Sequence, residues 1–157
     1  MEYIQAKREN IDEIYELVQD TILTIYPKYY PYEVVKFFCN HHSKQNILKD
    51  IDNGTVGMLI DNGKLIGTGS YRDNHITRVY VSPSFQRQGY GSYIMQALEN
   101  KIALQYEFAQ LDASLPATQL YEKRGYVTQQ HEKCACENGA VLVYEIMKKS
   151  LQNKLAK

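Results

Sequence analysis

The sequence predicts an α/β protein with a mixed sheet of about seven strands flanked by helices. Three observations support this fold class. Apolar residues recur mostly at helical spacing up to residue 54, whereas the chain from Thr55 onward alternates like strands. A glycine-rich turn then joins a strand to a long helix and a further strand, a crossover that is normally parallel and right-handed. The last part of the chain has the pattern of a hairpin.

The amino-terminal elements are a short strand and an amphipathic helix. Glu2 to Ala6 alternates in polarity and predicts the strand. Asn10, with Glu13 three residues later, resembles a capping box, and a helix of about 14 residues is expected to follow it. Its buried face would be formed by the apolar residues at helical spacing, which are Ile11, Ile14, Tyr15, Val18, Ile22 and Ile25.

Two shorter helices are predicted next. The segment 26–32 contains two prolines and interrupts the first helix, because proline lacks the backbone N–H that a helix needs. Pro31 can open a second helix that runs through Phe38. Ser43 is a good N-cap for a third helix, which Gly54 would end.

Three antiparallel strands are predicted before the glycine-rich turn. Thr55 to Ile60 and Leu65 to Tyr71 alternate on either side of an Asn-Gly pair, which suits a tight hairpin turn. A second turn at 72–74 leads into a strand from His75 to Ser82.

The elements after the glycine-rich turn complete the sheet. A helical pattern from Tyr93 to Tyr106 is followed by a strand at 108–113. Leu115 to Gly125 predicts a short helix with a left-handed glycine cap. Strands at 126–133 and 140–148 form the final hairpin around another Asn-Gly pair.

Length and charge narrow the classes of function. The 157 residues suit one domain, predicted at 1–150 with a polar tail at 151–157. Lys and Arg together number 18, as do Asp and Glu, so no net charge draws the chain to nucleic acid or to an anionic membrane. No apolar run approaches the roughly 20 residues of a membrane span, and the amino terminus lacks a signal-peptide pattern. We therefore expect a cytoplasmic protein.

The cysteines predict neither a disulfide framework nor a metal site. Cys39, Cys134 and Cys136 form an odd set, which agrees with a reducing compartment. Thiols and imidazoles occur together at 39–42 and at 131–136, but neither segment has the cysteine spacing of a structural zinc site. In a strand, the last two cysteines would share one face as small packed residues.

The glycine-rich turn, Gln86-Arg87-Gln88-Gly89-Tyr90-Gly91-Ser92, is the centre of the functional prediction. Where a helix begins, its first N–H groups lack intrahelical partners and lie at the positive end of the helix dipole. Such a turn binds anions, phosphates above all. Gly89 and Gly91 remove the side chains that would keep a diphosphate from the backbone.

Two motifs, in order, resemble those of a known family. Val79-Tyr80-Val81-Ser82-Pro83 directly precedes the turn, and Ala117-Thr118-Gln119-Leu120-Tyr121-Glu122-Lys123-Arg124-Gly125-Tyr126 lies downstream. Together they resemble the acetyl-CoA-binding core of the GCN5-related N-acetyltransferase (GNAT) superfamily, whose signature is V-x-P-x-x-(Q/R)-x-x-G-x-(G/A) followed by A-x-x-x-Y-E-K-x-G-(F/Y). The match covers 76–126 well; it is specific for the superfamily and says almost nothing about the acceptor.

The resemblance implies a GNAT fold in which strands 76–82 and 108–113 diverge and the pantetheine arm of acetyl-CoA lies in the gap. The main chain of Val79, Tyr80 and Val81 would contact this arm as a sheet edge contacts an added strand. The turn would hold the diphosphate through backbone N–H groups, with the side chain of its arginine as a further partner. The residues assigned to this part of the site are Gln86, Arg87, Gln88, Gly89, Gly91 and Ser92.

The resemblance also implies catalytic roles. Tyr121 matches the family's tyrosine that often protonates the departing thiolate, although it could instead be only an aromatic anchor for the cofactor. A backbone N–H near Val81 would stabilise the developing oxyanion. Ser114 stands where many members carry Asn, seven residues before the tyrosine, and could cap the helix or bond to the cofactor.

The resemblance assigns no general base, because family members use varied carboxylates or chains of water molecules. His75 and Tyr80 lie on the cofactor strand, and Asp73 lies near its start. Five residues separate His75 from Tyr80, so the two should face opposite sides of a regular strand. A histidine at a strand start is more often a surface residue, and an amine deprotonated in bulk water needs no dedicated base.

In this fold the acceptor cleft is formed by the first two helices and the loop between them. Four tyrosines at 26–32 could surround an ammonium group there or fill the loop's own small core. We predict acetyl transfer from acetyl-CoA to a primary amine of a small molecule or peptide, by direct attack in a ternary complex, with a homodimer left open. The alternative is a CoA- or acyl-CoA-binding sensor or partner module without turnover. A nucleotide-binding domain is disfavoured, because no G-x-x-x-x-G-K-(S/T) sequence occurs.

Overall fold

The computed structural model describes residues 1–151. The amino-terminal elements are β1 (Glu2–Gln5), α1 (Ile11–Ile25), α2 (Tyr32–His41) and α3 (Lys44–Asp52). The central elements are β2 (Val56–Asp61), β3 (Lys64–Arg72), β4 (His75–Val81) and α4 (Tyr90–Ile102). The carboxy-terminal elements are β5 (Phe108–Ala113), α5 (Thr118–Lys123), β6 (Val127–Ala135) and β7 (Val141–Ser150).

All seven strands join one mixed sheet in the order β1-β2-β3-β4-β5-β7-β6. Every neighbouring pair is antiparallel except β4 and β5, which are parallel across the α4 crossover. The predicted α/β class with a mixed seven-stranded sheet is therefore confirmed. The final hairpin folds back so that its second strand, β7, lies between β5 and β6.

The parallel strands separate soon after they meet. Only two residue pairs join them, His75 with Gln110 and Ile76 with Leu111. Beyond these pairs β4 continues to Val81 and β5 to Ala113 without pairing to each other. The predicted splay is present, and it leaves peptide groups of β4 facing an open gap.

Two apolar clusters cover the two faces of the sheet. One packs α1, α2 and α3 against it, and its fully buried members include Ile14, Ile22 and Ile47. The other packs α4 on the opposite face, with Ile94 and Leu98 buried. Because burying each such side chain stabilises the fold by about 1.5–3 kcal/mol, these clusters fix where α4 begins relative to β4.

Some local expectations are confirmed and others are wrong. Ser43 caps α3, its Oγ accepting a hydrogen bond from the Asn46 N–H at 3.2 Å. Asn10 does not form a capping box, because a 3-10 turn precedes α1 and gives Asn10 a nearly helical backbone. Its side chain instead accepts from the Lys7 N–H at 2.9 Å and donates to Glu13 at 3.1 Å.

The long helix is displaced from its predicted bounds. Tyr93 was expected to begin it, but α4 begins at Tyr90 and ends at Ile102. The four residues that follow, up to Tyr106, form closing turns before β5. The predicted polar tail lies outside the described residues except for Leu151. Within the described part of the chain, no helix has the length and apolar character needed to cross a membrane.

Candidate active site

The turn before α4 presents a row of unpaired backbone N–H groups. Arg87 and Gly89 both adopt left-handed conformations, with φ of 63° and 88°. The first backbone hydrogen bond of the helix runs from the Tyr93 N–H to the Gly89 oxygen at 3.1 Å. Within residues 1–151, the N–H groups from 87 to 92 have no hydrogen-bond acceptor. An alternation of left-handed residues ahead of a helix creates a concave anion site, so the predicted phosphate-binding geometry is present.

The two glycines contribute to this site in different ways. A Cβ on Gly89 would meet no heavy atom within 4 Å, so glycine is favoured there by the positive φ and not by crowding. A Cβ on Gly91 would lie 3.3 Å from a methyl group of Leu120 on α5. Gly91 therefore lets α5 pack against the start of α4. The open surface at Gly89 leaves room for a diphosphate, and the residues present fit the CoA that the family resemblance implies.

The side chains of the turn are partly engaged with the protein itself. Gln86 Nε2 donates to the Val81 oxygen at 3.0 Å, so the Gln86 side chain ties the turn to the end of β4. Arg87 and Gln88 are exposed, and Ser92 is half-buried in the first turn of α4. Arg87 is thus the side chain of this group placed to meet phosphate oxygens from solvent.

The main chain of β4 offers alternate residues to the gap. The Ser82 N–H donates to the Ile66 oxygen at 2.9 Å, which fixes the direction of the peptides along the strand. Because the directions alternate, the peptide groups of Tyr80 face β3, and those of Val79 and Val81 face the gap. The structure thus corrects the expectation of a main-chain contact from Tyr80. Its side chain enters the site instead.

A cavity of about 330 Å³ extends from the gap. One end is lined by residues predicted for the thioester, which are Val79, Tyr80, Ser114 and Tyr121, together with Ala117. The other end is lined mainly by aromatic and apolar side chains of α2, β6 and β7. A cavity therefore lies where the acceptor cleft was predicted, and the final hairpin lines it together with α2 and the turn after α1.

Tyr121 lies on α5 where the gap meets the cavity. Its side chain is buried, and its ring packs edge-on against Tyr126 with 6.0 Å between ring centres. Burial raises the pKa of Tyr121 above its ordinary value, so the hydroxyl keeps its proton at neutral pH. The residue is placed to donate a proton, and its catalytic role remains a prediction.

Tyrosines of the 26–32 segment are part of the site's frame. The Tyr26 hydroxyl donates to the Tyr80 hydroxyl at 3.3 Å and lies 3.5 Å from the Ser114 Oγ. The Tyr30 hydroxyl accepts from the Leu115 N–H at 2.7 Å. Tyr26 and Tyr30 are thus buried and hold α1 against the segment before α5, which supports the interpretation that the loop fills its own core. The other two tyrosines of the segment are exposed.

A β-bulge brings His75 to the same cavity as Tyr80. The register of β4 against β3 shifts so that Arg78 pairs with Ser70 and Ile76 with Tyr71, which leaves Thr77 as an extra residue. An extra residue resets the alternation of side chains along the strand. The expectation that His75 and Tyr80 face opposite sides is therefore wrong, and both line the cavity.

The structure narrows the candidates for a base. Burial is the main cause that raises the pKa of Tyr80 far above its ordinary value, so Tyr80 is a neutral phenol and cannot serve as the base. Asp73 does not line the cavity; in the β3–β4 turn it accepts a long hydrogen bond from Tyr106 at 3.5 Å. His75 is the member of the predicted set that can take a proton there.

Two further titratable residues line the cavity, Asp112 and His41. Partial desolvation raises the pKa of Asp112, while the nearby His75 and His41 oppose this shift. Partial desolvation and the Arg78 charge lower the pKa of His41, which favours its neutral form. Sequence reasoning missed both. The alternation of β5 could have identified Asp112. Side chains along a strand point to opposite faces in turn, and Leu111 packs toward α4, so its neighbour Asp112 points to the other face of the sheet.

The floor of the cavity contains a buried arginine that is paired with a carboxylate. Arg78 is 5% exposed, and its Nη2 lies 3.1 Å from Asp50 Oδ2. Its other nitrogens donate to His42 Nδ1 at 3.1 Å and to Ser70 Oγ at 2.9 Å. Burial and Arg78 lower the pKa of His42 well below its ordinary value, so this histidine is neutral. Asp50 also lies 3.6 Å from Nη2 of the exposed Arg72, so it offsets the Arg78 charge only in part.

The thiols and imidazoles do not gather into a metal site. The three cysteines are free. Across the part of the chain that the structure describes, no group of three or more His, Cys, Asp or Glu residues is arranged to hold a metal ion.

Comparison with known proteins identifies the family. A family model described as an acetyltransferase (GNAT) domain matches residues 25–151. No curated protein sequence matches this chain. Similar solved structures include a GCN5-related N-acetyltransferase from Rhodopseudomonas palustris, with a TM-score of 0.87 and 22% identity over 96% of this chain and 95% of that chain.

Two further similar structures were solved with the cofactor. PaiA N-acetyltransferase from Thermoplasma acidophilum, in complex with coenzyme A, has a TM-score of 0.76 and 16% identity over 95% of this chain and 98% of that chain. YncA from Salmonella typhimurium, with its cofactor acetyl-CoA, has a TM-score of 0.74 and 16% identity over 97% of this chain and 94% of that chain. At these identities the likeness shows the fold. Because the family model spans most of the sequence, the chain belongs to the GNAT acetyltransferase family, which confirms the resemblance of its two motifs and acetyl-CoA as its cofactor.

Proposed function

We propose that this protein is an N-acetyltransferase that transfers the acetyl group of acetyl-CoA to a primary amine by direct attack in a ternary complex. The observation that carries the proposal is the continuity of the site. Unpaired N–H groups at 87–92 lie beyond one end of β4, the splayed gap runs along the strand, and a cavity with Tyr121 opens from the gap. This arrangement suits a long cofactor whose charged part and reactive part are held separately.

The chain's own residues have distinct tasks in this reaction. Bound acetyl-CoA supplies an activated thioester carbonyl. The N–H groups of the turn hold the diphosphate, and the peptide groups of Val79 and Val81 orient the pantetheine arm along the gap. The Val81 N–H faces the gap and would donate to the carbonyl oxygen as negative charge develops there, and a donor of this kind is typically worth about 10²–10³ in rate. Tyr121 donates its phenolic proton to the leaving sulfur.

The attacking amine must lose a proton, because an ammonium group has no lone pair. His75, His41 and Asp112 lie together at the cavity, where a proton can pass from the amine to a side chain and onward to solvent. Tyr80 is excluded from this task by its raised pKa. The buried tyrosines around it keep water away from the reacting carbonyl.

The test is CoA release on incubation with acetyl-CoA and a panel of amines. Release that depends on the amine supports the proposal. Tight CoA binding with no release across polyamines, amino acids, aminoglycosides and peptides would instead indicate a binding module without turnover.

Tyr121→Phe tests the assigned proton donor. Its loss should lower kcat more than it raises the KM for acetyl-CoA, since the hydroxyl acts on the leaving group. The control is Tyr32→Phe, because Tyr32 is 74% exposed at the start of α2. A rise in KM with unchanged kcat would make Tyr121 an anchor only.

A further inference from the structure

We propose that the acceptor is a small monoamine with an apolar, ring-sized body, and that Asp112 binds its ammonium group. This inference rests on the proposed N-acetyltransferase activity and assigns the acceptor class for the same site. Three features of the cavity carry it: its walls, its charge and its size.

The walls of the acceptor end are apolar and largely aromatic. Phe37 and Phe38 of α2 face Leu142 and Tyr144 of β7 across the cavity, and Cys134 of β6 lies beside them. Aromatic faces attract both flat apolar groups and cations. A ligand with a ring or a short branched apolar group therefore has apolar contacts on more than one side. A ligand rich in hydroxyl groups finds few hydrogen-bond partners there.

The charge inside the cavity suits one ammonium group. Among the described residues that line it, Asp112 is the only carboxylate. The one guanidinium that lines it, from Arg78, pairs at 3.1 Å with Asp50, which it shares with the exposed Arg72. Asp112 is itself exposed, so an ammonium paired with it stays in contact with solvent, whereas a second ammonium deeper among the aromatic walls has no carboxylate partner. Burying a polar group without a partner costs roughly 2–7 kcal/mol, and more for a charge, so polycations and aminoglycosides fit poorly.

The size of the cavity limits the acceptor further. Its volume of about 330 Å³ lies at the small end of the range for ligand pockets. The same space must hold the acetyl end of the cofactor as well as the amine. A compact molecule fits, and a peptide does not, because each peptide group would need a hydrogen-bond partner that these walls lack.

The nearest competitor is a linear diamine. A neighbouring groove shares Phe37 and His41 with the cavity and includes Glu33 and Glu137, so a second ammonium could extend into it. Glu137 is already paired with Lys36, and its side chain is 64% exposed. Asp112 is also exposed, so solvent weakens attraction at both carboxylates. The lysine beside Glu137 is what lowers attraction there further and favours the monoamine.

An amine panel tests the proposal. At saturating acetyl-CoA, kcat/KM for 2-phenylethylamine should exceed that for 1,4-diaminobutane, kanamycin and a peptide with a free amino terminus by at least about tenfold. A diamine, aminoglycoside or peptide that is the better substrate would overturn it. If no amine causes CoA release, the proposed activity is wrong, and calorimetry of 2-phenylethylamine binding to the CoA complex then tests the acceptor class. Binding that is weakened by Asp112→Asn supports the assigned class. Absence of binding overturns it.

Two variants locate the ammonium. Asp112→Asn should raise the KM for 2-phenylethylamine by about tenfold or more and leave the KM for acetyl-CoA unchanged. Asp20→Asn, an exposed change on α1, is the matched control and should alter neither value. Unchanged amine affinity in Asp112→Asn would overturn the proposal.

Cys134→Asp adds a second carboxylate to the wall. It should raise the ratio of kcat/KM for 1,4-diaminobutane over 2-phenylethylamine by about tenfold, because the second ammonium then has a partner inside the cavity. A ratio that stays constant, while CoA binding and melting temperature show an intact protein, would count against the assigned position of the acceptor.

Discussion

The turn before α4 and the cavity along β4 offer different groups to a ligand. The turn is a continuous, exposed segment that offers backbone N–H groups, and its requirement on sequence is largely for glycine at two positions. The cavity is built from side chains of the turn after α1 and of α2, β4, β5, α5, β6 and β7. A family can therefore share recognition through the backbone, because it depends little on side chains. Substitutions in the cavity can change which acceptor binds without changing the cofactor.

The largest expected effect is on the turn. Gly91→Asp should weaken CoA binding at least about hundredfold, because it places a negative charge in the first turn of α4, beside the N–H groups proposed to bind the diphosphate. The fold should remain, since a carboxylate in the first turn of a helix is favourable and the Leu120 methyl group at 3.3 Å needs only a small shift. Calorimetry with CoA measures the effect, and Gly91→Ala, which adds bulk without charge, should keep affinity within about tenfold. Unchanged CoA affinity in Gly91→Asp would remove the turn from the site.

The next effect is on the cavity floor. Asp50→Ala leaves Arg78 buried without its carboxylate and should lower the free energy of unfolding by about 2–3 kcal/mol, slightly less than for a fully buried pair because Asp50 is partly exposed. Urea denaturation measures this loss. Asp52→Ala is the control, because its pair with Arg8 is exposed and should contribute less than about 1 kcal/mol. Equal losses would mean that the Arg78 cluster does not stabilise the fold.

A smaller effect is the pH dependence of the free energy of unfolding, which we expect to arise from a residue of the cavity and not from the turn. The pKa of His42 is lowered in the folded state, so the unfolded chain binds the proton first as pH falls. The contribution of His42 to the free energy of unfolding is then fully present above about pH 6.5. It is lost below that pH, by at most about 1.4 kcal/mol per pH unit. His42→Asn keeps an acceptor for Arg78 and should flatten this slope, with a residual slope from His41. An identical slope in the wild-type protein and in His42→Asn would exclude His42 as its source.

The smallest expected effect is at the boundary between the two regions. Ser114→Ala removes a hydroxyl whose contact with Tyr26 is long, at 3.5 Å, and should change kcat/KM for acetyl-CoA by less than about threefold. Steady-state kinetics measure it. A loss of more than about tenfold would show that Ser114 contacts the cofactor directly, as its place in the motif suggests.

The same contrast explains what the sequence could predict. The turn and its glycines form a local pattern, and the seven strands follow local alternation, so both were predictable. The cavity required long-range information: Asp112 and His41 are far apart in sequence, and the bulge at Thr77, which turns His75 toward Tyr80, occurs in a run that reads as a regular strand. The start of α4 was missed because a glycine in the first turn has low helix propensity, although here it allows α5 to pack closely.

The central claim is that the main-chain N–H groups of 87–92 bind the cofactor's diphosphate. Amide chemical shifts followed by NMR during titration test it directly, with CoA compared against pantetheine, which lacks the diphosphate. The account predicts that CoA shifts the amides of 87–92 most strongly and that pantetheine leaves them nearly unchanged while shifting those of Val79 and Val81. Equal shifts at 87–92 with both compounds, or none with CoA, would contradict it.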